Sequence, residues 1–438
     1  MNSASQPTFR EALAFWFKLG WISFGGPAGQ IAILHEEVVQ RRRWIAEPQF
    51  AHALNFCMLL PGPEAQQLTT YIGWLLHGMK GGLAAGVLFV LPSIAILLGL
   101  SWVYVAHGDL AWVAGLFDGL QPAVLALIAV ALVRIGSRSL RTPALAALAF
   151  AGWAAFALLD VPFPLVVLGA ALIGAVGARV APSWFAPAKL HSAADASLPE
   201  RSASERSWRR ALRVTLVCLV LWWTPVALAA ALLGPEHVLT RQGLFFSQAA
   251  VVTFGGAYAV LPYVAEQAVS TYAWLTPAEM LDGLGLAEST PGPLIMVLQF
   301  VGYVGAWRHA GPLDPWLAAV LGALLTTWVT FVPCFLWVLV GAPFVERLRG
   351  VQVLASALGA ITAAVTGLLL DLGIGLGREV LAPETSSGLR QFDLLAFAVA
   401  TLAAGLLFTR RASVPAVLVG AAGLGVLRVW LGHGSGAL

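Results

Sequence analysis

Nine long apolar stretches follow one another along this chain, and they restrict its fold more than any other feature. They lie at about 83–106, 112–135, 144–159, 162–180, 211–233, 314–341, 351–371, 391–409 and 413–431. A helix needs roughly 20 apolar residues to cross the hydrocarbon core of a bilayer. Charged residues make up only 11% of the sequence, whereas a soluble domain is about 25% charged. The sequence therefore predicts an all-α polytopic membrane protein.

Four other apolar stretches are interrupted by glycine and proline, at 9–40, 47–78, 242–270 and 276–306. They form an internal repeat with a single offset of 230 residues, and a fixed offset indicates a duplicated unit. The matching landmarks are Phe24-Gly25-Gly26 with Phe254-Gly255-Gly256, Glu36 with Glu266, Trp44 with Trp274, and Pro61-Gly62-Pro63 with Pro291-Gly292-Pro293.

The two halves are predicted to have opposite orientations in the membrane. An odd number of crossings precedes the second half, whether the interrupted stretches cross fully or are re-entrant. Inverted repeats of this kind are typical of secondary transporters. The predicted domains are a first transporter repeat at 1–180, a polar linker at 181–210, a linking transmembrane helix at 211–233 and an inverted second repeat at 234–438.

Loop arginines indicate which side of the membrane faces the cytoplasm. Most of them fall on one side of the predicted topology, which the positive-inside rule assigns to the cytoplasm. The three arginines at 41–43 lie on that side only if the stretch 9–40 enters and leaves the membrane on the same face. We therefore expect broken, re-entrant helical hairpins, with the N-terminus in the cytoplasm and the C-terminus outside.

The interruptions are candidate binding sites, because a broken helix inside a membrane exposes backbone N–H and C=O groups that need a partner. A helix N-terminus directs free N–H groups and the positive end of its dipole at a ligand, which suits an anion. The alternative is that the glycines and prolines only form tight turns or close helix contacts. The backbone candidates are Gly25, Gly26, Pro27, Gly62, Pro63, Gly255, Gly256, Gly292 and Pro293.

Polar side chains cluster around these breaks. Each hydroxyl or amide can donate to an oxyanion, or can instead satisfy the backbone of its own helix. Lys18 is the candidate cationic partner of an anion, and the alternative is that its ammonium group extends to the membrane interface. The other candidates for binding are Ser23, Gln30, Gln66, Gln67, Thr253 and Thr290.

Carboxylates in apolar surroundings are costly and therefore candidates for function. Glu36, Glu64 and Glu266 are predicted to take part in ion coupling or gating, since a carboxylate would repel an anionic substrate. The alternatives are a stabilising charge at a helix N-terminus for Glu64 and an ion pair within one helix for the Glu37–Arg41 segment.

Signatures of enzymes, metal sites and nucleic-acid binding are missing from the sequence. The motif at His35-Glu36 lacks the second histidine of a zinc-binding H-E-x-x-H segment, and no P-loop is present. Three scattered cysteines make neither a disulfide framework nor a metal motif. A net charge of +3 does not indicate binding to nucleic acid. No catalytic residue, metal or cofactor is predicted.

The motifs resemble those of the chromate ion transporter family (CHR), in its long, two-domain form. The resemblance is carried in both halves by Phe24-Gly25-Gly26-Pro27, Arg43-Trp44-Ile45, Pro61-Gly62-Pro63-Glu64, Gly119-Leu120-Gln121-Pro122, Thr253-Phe254-Gly255-Gly256, Trp274-Leu275-Thr276 and Pro291-Gly292-Pro293-Leu294. The halves differ at Pro27, Lys18 and Glu64, which become Ala257, Gln248 and Leu294.

The resemblance implies efflux of chromate across the bacterial inner membrane, metal resistance, and competition or exchange with sulfate. The residues alone lead only to a secondary transporter with a site suited to an oxyanion. A transporter of sulfate or another oxyanion and an uncoupled anion channel remain alternatives. The partners expected are therefore an oxyanion and the lipid bilayer; the oligomeric state is open, a homodimer included.

Overall fold

The computed structural model describes residues 6–185, 208–344, 352–384 and 390–432. Within these ranges the chain forms α-helices with short π and 3₁₀ turns, and its β-structure is limited to one isolated bridge between Glu384 and Arg390. Six of the described helices are long and apolar enough to cross a membrane. The prediction of an all-α polytopic membrane protein is confirmed.

The described residues of the first half form seven α-helices. They are α1 (Phe9–Ile22), α2 (Gly26–His35), α3 (Glu47–Cys57), α4 (Glu64–His107), α5 (Ala111–Ser139), α6 (Pro143–Leu159) and α7 (Phe163–Val180), with a π-helical turn at Glu36–Arg41 that continues α2. Both interrupted stretches are thus pairs of helices, and the breaks fall at the Phe-Gly-Gly and Pro-Gly-Pro motifs.

The remaining helices repeat that order after one additional helix. They are α8 (Trp208–Leu233), α9 (Val238–Val252), α10 (Ala257–Glu266), α11 (Pro277–Ser289), α12 (Val297–Arg308), α13 (Pro315–Gly341), α14 (Gln352–Leu381), α15 (Leu394–Phe408) and α16 (Val414–Trp430). A second π turn, Gln267–Thr271, continues α10 as the first one continues α2. A 3₁₀ turn at Leu294–Met296 leads into α12, and another at Ala342–Phe344 follows α13.

Each of the nine uninterrupted stretches corresponds to a helix or to part of one. The three shorter helices are α6, α15 and α16, with 17, 15 and 17 residues. Helix α4 joins the end of a broken unit to the first uninterrupted span, over 44 residues with non-helical angles at His77 and Gly78. Most of the predicted linker, at 186–207, lies outside the described residues.

The two halves meet along their equivalent helices. Helix α1 packs along α4, α9 packs along α13, and α4 also contacts α13. Small residues permit close approach between other helices: a Cβ atom on Gly119 of α5 would lie 2.3 Å from the carbonyl oxygen of Ala421 in α16. The inverted orientation of the second half and the re-entrant course of the broken units stay predictions.

Candidate functional site

Two backbone hydrogen bonds bring the four helix breaks together. The amide of Gly62 donates to the carbonyl oxygen of Thr253 at 2.7 Å, and the amide of Gly292 donates to that of Ser23 at 2.8 Å. Each Pro-Gly-Pro break is therefore joined to the Phe-Gly-Gly break of the other half. The sequence predicts that these two amides face a ligand, whereas in the structure the protein itself provides their acceptors.

Glycine is required at both donor positions. Gly62 has φ of 123° and Gly292 has φ of 115°, a region that side chains other than glycine rarely adopt. A Cβ atom would also lie 2.8 Å from Cys334 Sγ at Gly62, and 2.6 Å from Ser93 Cβ at Gly292. Ser93 and Cys334 each follow a proline, Pro92 and Pro333, so both halves close the break in the same way.

Gln30 reinforces one of the two junctions. Its side chain is only 2% exposed, and its Nε2 donates to the carbonyl oxygens of Gly292 and, at 3.4 Å, of Ser23. The equivalent position in the second half is Val260, which has no donor. The junction between α1 and the second Pro-Gly-Pro motif therefore has a polar clamp that its counterpart lacks.

The two Phe-Gly-Gly breaks form left-handed corners before α2 and α10. The values of φ are 89° and 68° at Gly25 and Gly26, and 86° and 91° at Gly255 and Gly256. Among the described residues, none of these four backbone amides has a hydrogen-bond acceptor. Because they lie at helix N-termini, the dipoles of α2 and α10 add to their positive potential. These glycine corners can thus donate to an anion without any formal positive charge.

Three side chains approach the glycine corners. The nearest atoms to the built Cβ positions are Thr362 Oγ1 at 3.1 Å from that of Gly255, Glu64 Oε1 at 3.6 Å from that of Gly256, and the Tyr258 hydroxyl at 3.8 Å from that of Gly26. Glu64 belongs to the first half and lies at the second corner, while Tyr258 belongs to the second half and lies at the first corner. Each corner is thus completed by the opposite half.

A small cavity of about 10 Å³, roughly the space of one water molecule, lies beside the second corner. Gly255 and Tyr258 form part of its wall, and α14 contributes Thr362 and Thr366. Ile135 of α5 also lines it, and the exposed residues Arg134 and Arg138 are its neighbours along α5. The cavity therefore combines hydroxyl groups, a glycine corner and nearby cationic side chains.

Most of the predicted polar candidates hydrogen-bond to atoms close to them in sequence. Ser23 donates to the carbonyl oxygen of Leu19, Thr253 to that of Ala249 and Thr290 to that of Ala287. Gln66 donates to Thr70 Oγ1 at 3.1 Å, and Gln67 to the carbonyl oxygen of Pro61 at 2.7 Å. These contacts match the alternative in which such side chains satisfy nearby backbone and helix groups. Pro27 lies in the first turn of α2, and Pro63 and Pro293 precede α4 and the 3₁₀ turn.

Lys18, Glu36 and Glu266 lie apart from the glycine corners. Lys18 is on an exposed face of α1, and Glu36 is exposed and pairs with Arg41 at 2.7 Å. Glu266 is the last residue of α10. Of the charged side chains predicted from the sequence, only Glu64 reaches the glycine corners.

The sequence-based prediction missed two buried carboxylates on α11. Glu288 accepts a hydrogen bond from the Tyr258 hydroxyl. Asp282 accepts one from Tyr104 at 2.9 Å and one from Gln121 at 3.0 Å. Both acids lie in an interrupted apolar stretch, where an ionisable residue is by itself a signal of function. They were overlooked because neither has an acidic equivalent in the first half.

Comparison with known proteins gives one family. The family model described as chromate transporter matches residues 10–175 and 241–426. A chromate transport protein of Pseudomonas aeruginosa is 32% identical over 92% of this chain and 87% of its own length. Another from Cupriavidus metallidurans is 26% identical over 99% of this chain and 96% of its own. A probable chromate transport protein of Synechococcus elongatus is 26% identical over 85% of this chain and 86% of its own length. No solved structure matches the chain.

Proposed function

Because this chain belongs to the chromate transporter family, and is thus a membrane transporter rather than an enzyme, we propose that it exports chromate across the bacterial inner membrane. The observation that carries the proposal is the convergence of the four breaks through the Gly62–Thr253 and Gly292–Ser23 hydrogen bonds. It leaves the amides of the two glycine corners available to a ligand. Chromate is a tetrahedral dianion, and such an ion is well matched by several backbone N–H donors.

Among the described residues, no cationic side chain lines the cavity itself, which supports transport rather than tight storage. A dianion held mainly by backbone dipoles and hydroxyl groups binds strongly enough to enter and weakly enough to leave. Sulfate has the same shape and charge, so we propose that it competes for the site. Competition by a panel of anions distinguishes a chromate site from a site for sulfate, for other oxyanions or for organic anions.

Export is supported by two arginines of α5 that lie near the cavity. Arg134 and Arg138 lie in the last turns of α5, at the end that the positive-inside rule would assign to the cytoplasm, and Ile135 between them lines the cavity. Cationic side chains near a binding site raise the local concentration of an anionic substrate. Chromate would therefore be collected from the cytoplasmic side.

Alternating access fits a site to which both halves contribute. In this mechanism the halves rock around a site near the membrane midplane, and here each glycine corner is completed by the other half. We propose that Glu64 acts as the gate, since its carboxylate lies at Gly256 and would have to leave before a dianion could approach.

The experiment is uptake of labelled chromate into inverted membrane vesicles that contain the full chain, with and without a proton gradient. We expect saturable uptake, and its absence under every gradient would refute the proposal. Uptake that is neither saturable nor responsive to a gradient would indicate an anion channel. As a matched pair, Gly256→Ala should lose uptake, whereas Gly359→Ala should retain it, because a Cβ atom at Gly359 meets nothing within 4 Å.

A further inference from the structure

Tyr258 connects both glycine corners to a buried carboxyl group. The residue lines the cavity beside Gly255, and its hydroxyl oxygen lies 3.8 Å from the Cβ position built on Gly26. The same hydroxyl donates a hydrogen bond to Glu288 Oε1. One phenol group is therefore within reach of both the predicted oxyanion site and a proton-binding side chain.

Glu288 has the surroundings of a group that exchanges a proton. It is 5% exposed and lies on α11, two residues before the break that begins at Thr290. Among the described residues, the phenol of Tyr258 is its hydrogen-bond partner, and no cation pairs with it. A buried carboxylate with only a neutral partner is costly in its charged form.

Among the described ionisable groups around α11, Arg134 of α5 acts on the pair itself, at Tyr258, and the others act on residues outside the pair. Asp282 binds Tyr104 of α4, and Glu279 pairs with Arg308 of α12. On α4, Glu64 lies at Gly256; on α5, Asp118 acts on Asp282, Arg134 on Tyr258 and Arg138 on Glu64. Helix α14 carries Asp371, which acts on Glu266, together with Arg378 and Glu379, and Glu379 pairs with Arg390. Helix α16 carries Arg428, which pairs with Asp393.

Resting on the proposed function, we infer that the Tyr258–Glu288 pair binds one proton together with the oxyanion. When Glu288 is ionised, the phenol of Tyr258 donates its hydrogen bond to the carboxylate and is not available to the substrate. When Glu288 takes up a proton from water, its own O–H donates to the phenol oxygen. The phenol keeps its proton and can turn it toward an oxygen of the oxyanion, so that each binding event strengthens the other.

The pair exists in one half only. The positions equivalent to Tyr258 and Glu288 in the first half are Ala28 and Met58, which can neither donate nor titrate. The first glycine corner therefore receives its hydroxyl group from the second half, and the two halves share a single proton site. We expect one proton to accompany each bound dianion.

The test measures the affinity of the purified full chain for chromate from mildly acidic to mildly alkaline pH, in four variants and the wild type. In the wild type, affinity should fall as pH rises, by up to about tenfold per pH unit for one linked proton. Glu288→Gln should bind at every pH as tightly as the wild type does in acid, because its amide can donate to the phenol oxygen. Tyr258→Phe should bind weakly at every pH.

Two matched controls remove trivial explanations. Asp109→Asn changes an exposed carboxylate and Tyr272→Phe removes a phenol outside the site, and both should keep the wild-type pH profile. The protonation of chromate itself affects all variants equally, so the ratio of Glu288→Gln to wild type isolates the protein's contribution. Thermal unfolding of each variant shows whether it is folded.

A second measurement counts protons directly. Addition of chromate to weakly buffered protein should remove about one proton per bound ion from solution in the wild type, and none in Glu288→Gln. If Glu288→Gln keeps the wild-type pH profile or proton uptake, the inference is wrong while the transport proposal stands. If the wild type itself fails to bind chromate, the proposed function is wrong and the inference falls with it.

Discussion

The amide nitrogen of Gly62 lies 2.7 Å from the carbonyl oxygen of Thr253, to which it donates a hydrogen bond. Gly292 makes the same contact with Ser23 at 2.8 Å, so each half of the chain provides one donor and one acceptor. Because all four residues adjoin helix breaks, the breaks are fixed to each other across the halves. We therefore expect a change at one break to affect the opposite half through the backbone.

Replacement of either donor glycine should damage both stability and transport. In Gly62→Ala and Gly292→Ala, the alanine must adopt a positive φ. Its Cβ atom must also enter the space of Cys334 at position 62, or of Ser93 at position 292. Backbone strain of this kind costs on the order of 1–3 kcal/mol. Thermal unfolding in detergent and chromate uptake in vesicles measure the two effects.

The matched control for these variants is Gly423→Ala on α16, where an added Cβ atom meets nothing within 4 Å. It should unfold and transport as the wild type does. If Gly62→Ala behaves like this control, the junction between the halves is not essential to the site.

The sequence was sufficient to locate the breaks, because the signals for a break are local. Pro27 lies in the first turn of α2 and Pro63 directly precedes α4, as the conformational limits of proline require. The partner of each break could not be predicted in this way. The pairing of Gly62 with Thr253 joins residues far apart in the chain, and it depends on how α4 packs against α13.

The polar side chains show a second limit of sequence-based reasoning. Ser23 and Thr253 had two alternatives, a ligand or the backbone of their own helix, and only packing decides between them. In the structure, both hydroxyl groups donate hydrogen bonds to carbonyl oxygens of the helices that precede them. Tyr258 and Glu288 were missed for a different reason: they break the repeat, and a comparison of equivalent positions finds only what the halves share.

Loss of the Gln30 clamp should destabilise the junction that contains it. In Gln30→Ala, the carbonyl oxygen of Gly292 loses the donor from Gln30, whereas that of Ser23 keeps the Gly292 amide. An unsatisfied buried polar group costs about 1–3 kcal/mol. The control is Gln40→Ala, an exposed glutamine. Equal unfolding temperatures for the two variants would contradict the prediction.

Lys18→Ala distinguishes a ligand from a cation at the surface of α1. The sequence predicts that Lys18 pairs with the anion, and loss of transport in a folded variant would support that role. Because the structure exposes Lys18 away from the glycine corners, we expect the variant to bind chromate with unchanged affinity. Equilibrium binding of labelled chromate is the measurement, and a loss of binding in Lys18→Ala would show that Lys18 contributes to the site.

Asp393, which caps the N-terminus of α15 just before the helix begins, should give the fold a pH-dependent contribution. Burial alone would raise its pKa, but hydrogen bonds from the Ala396 amide and from Arg428 outweigh that effect and lower the pKa. A lowered pKa in the folded state means that the stabilisation is present at neutral pH and is lost as pH falls through the folded-state value.

Asp393→Ala should therefore destabilise the protein by about 1 kcal/mol at neutral pH, the usual cost of a lost helix cap. The difference from the wild type should narrow in acid. Thermal unfolding at both pH values measures it, and a deficit that is the same in acid would show that the charge of Asp393 contributes nothing.

Glu64→Gln should bind chromate more tightly than the wild type. The carboxylate of Glu64 lies next to Gly256, with Oε1 3.6 Å from the built Cβ position, and there it can take the place of an anion at the N-terminus of α10. Removal of its negative charge abolishes both the repulsion of a dianion and the competition for that position. Glutamine keeps the size of the side chain, so packing at the start of α4 should not change.

The expected gain is on the order of tenfold in affinity, or about 1.4 kcal/mol, together with slower turnover, because a gate that no longer competes with the substrate no longer helps to release it. Binding of labelled chromate and initial uptake rates measure the two effects separately. Asp109→Asn, an exposed carboxylate, is the control for a general effect of charge. Weaker binding in Glu64→Gln would mean that Glu64 supports the substrate site through a proton that it carries, and would exclude its role as a competing anion.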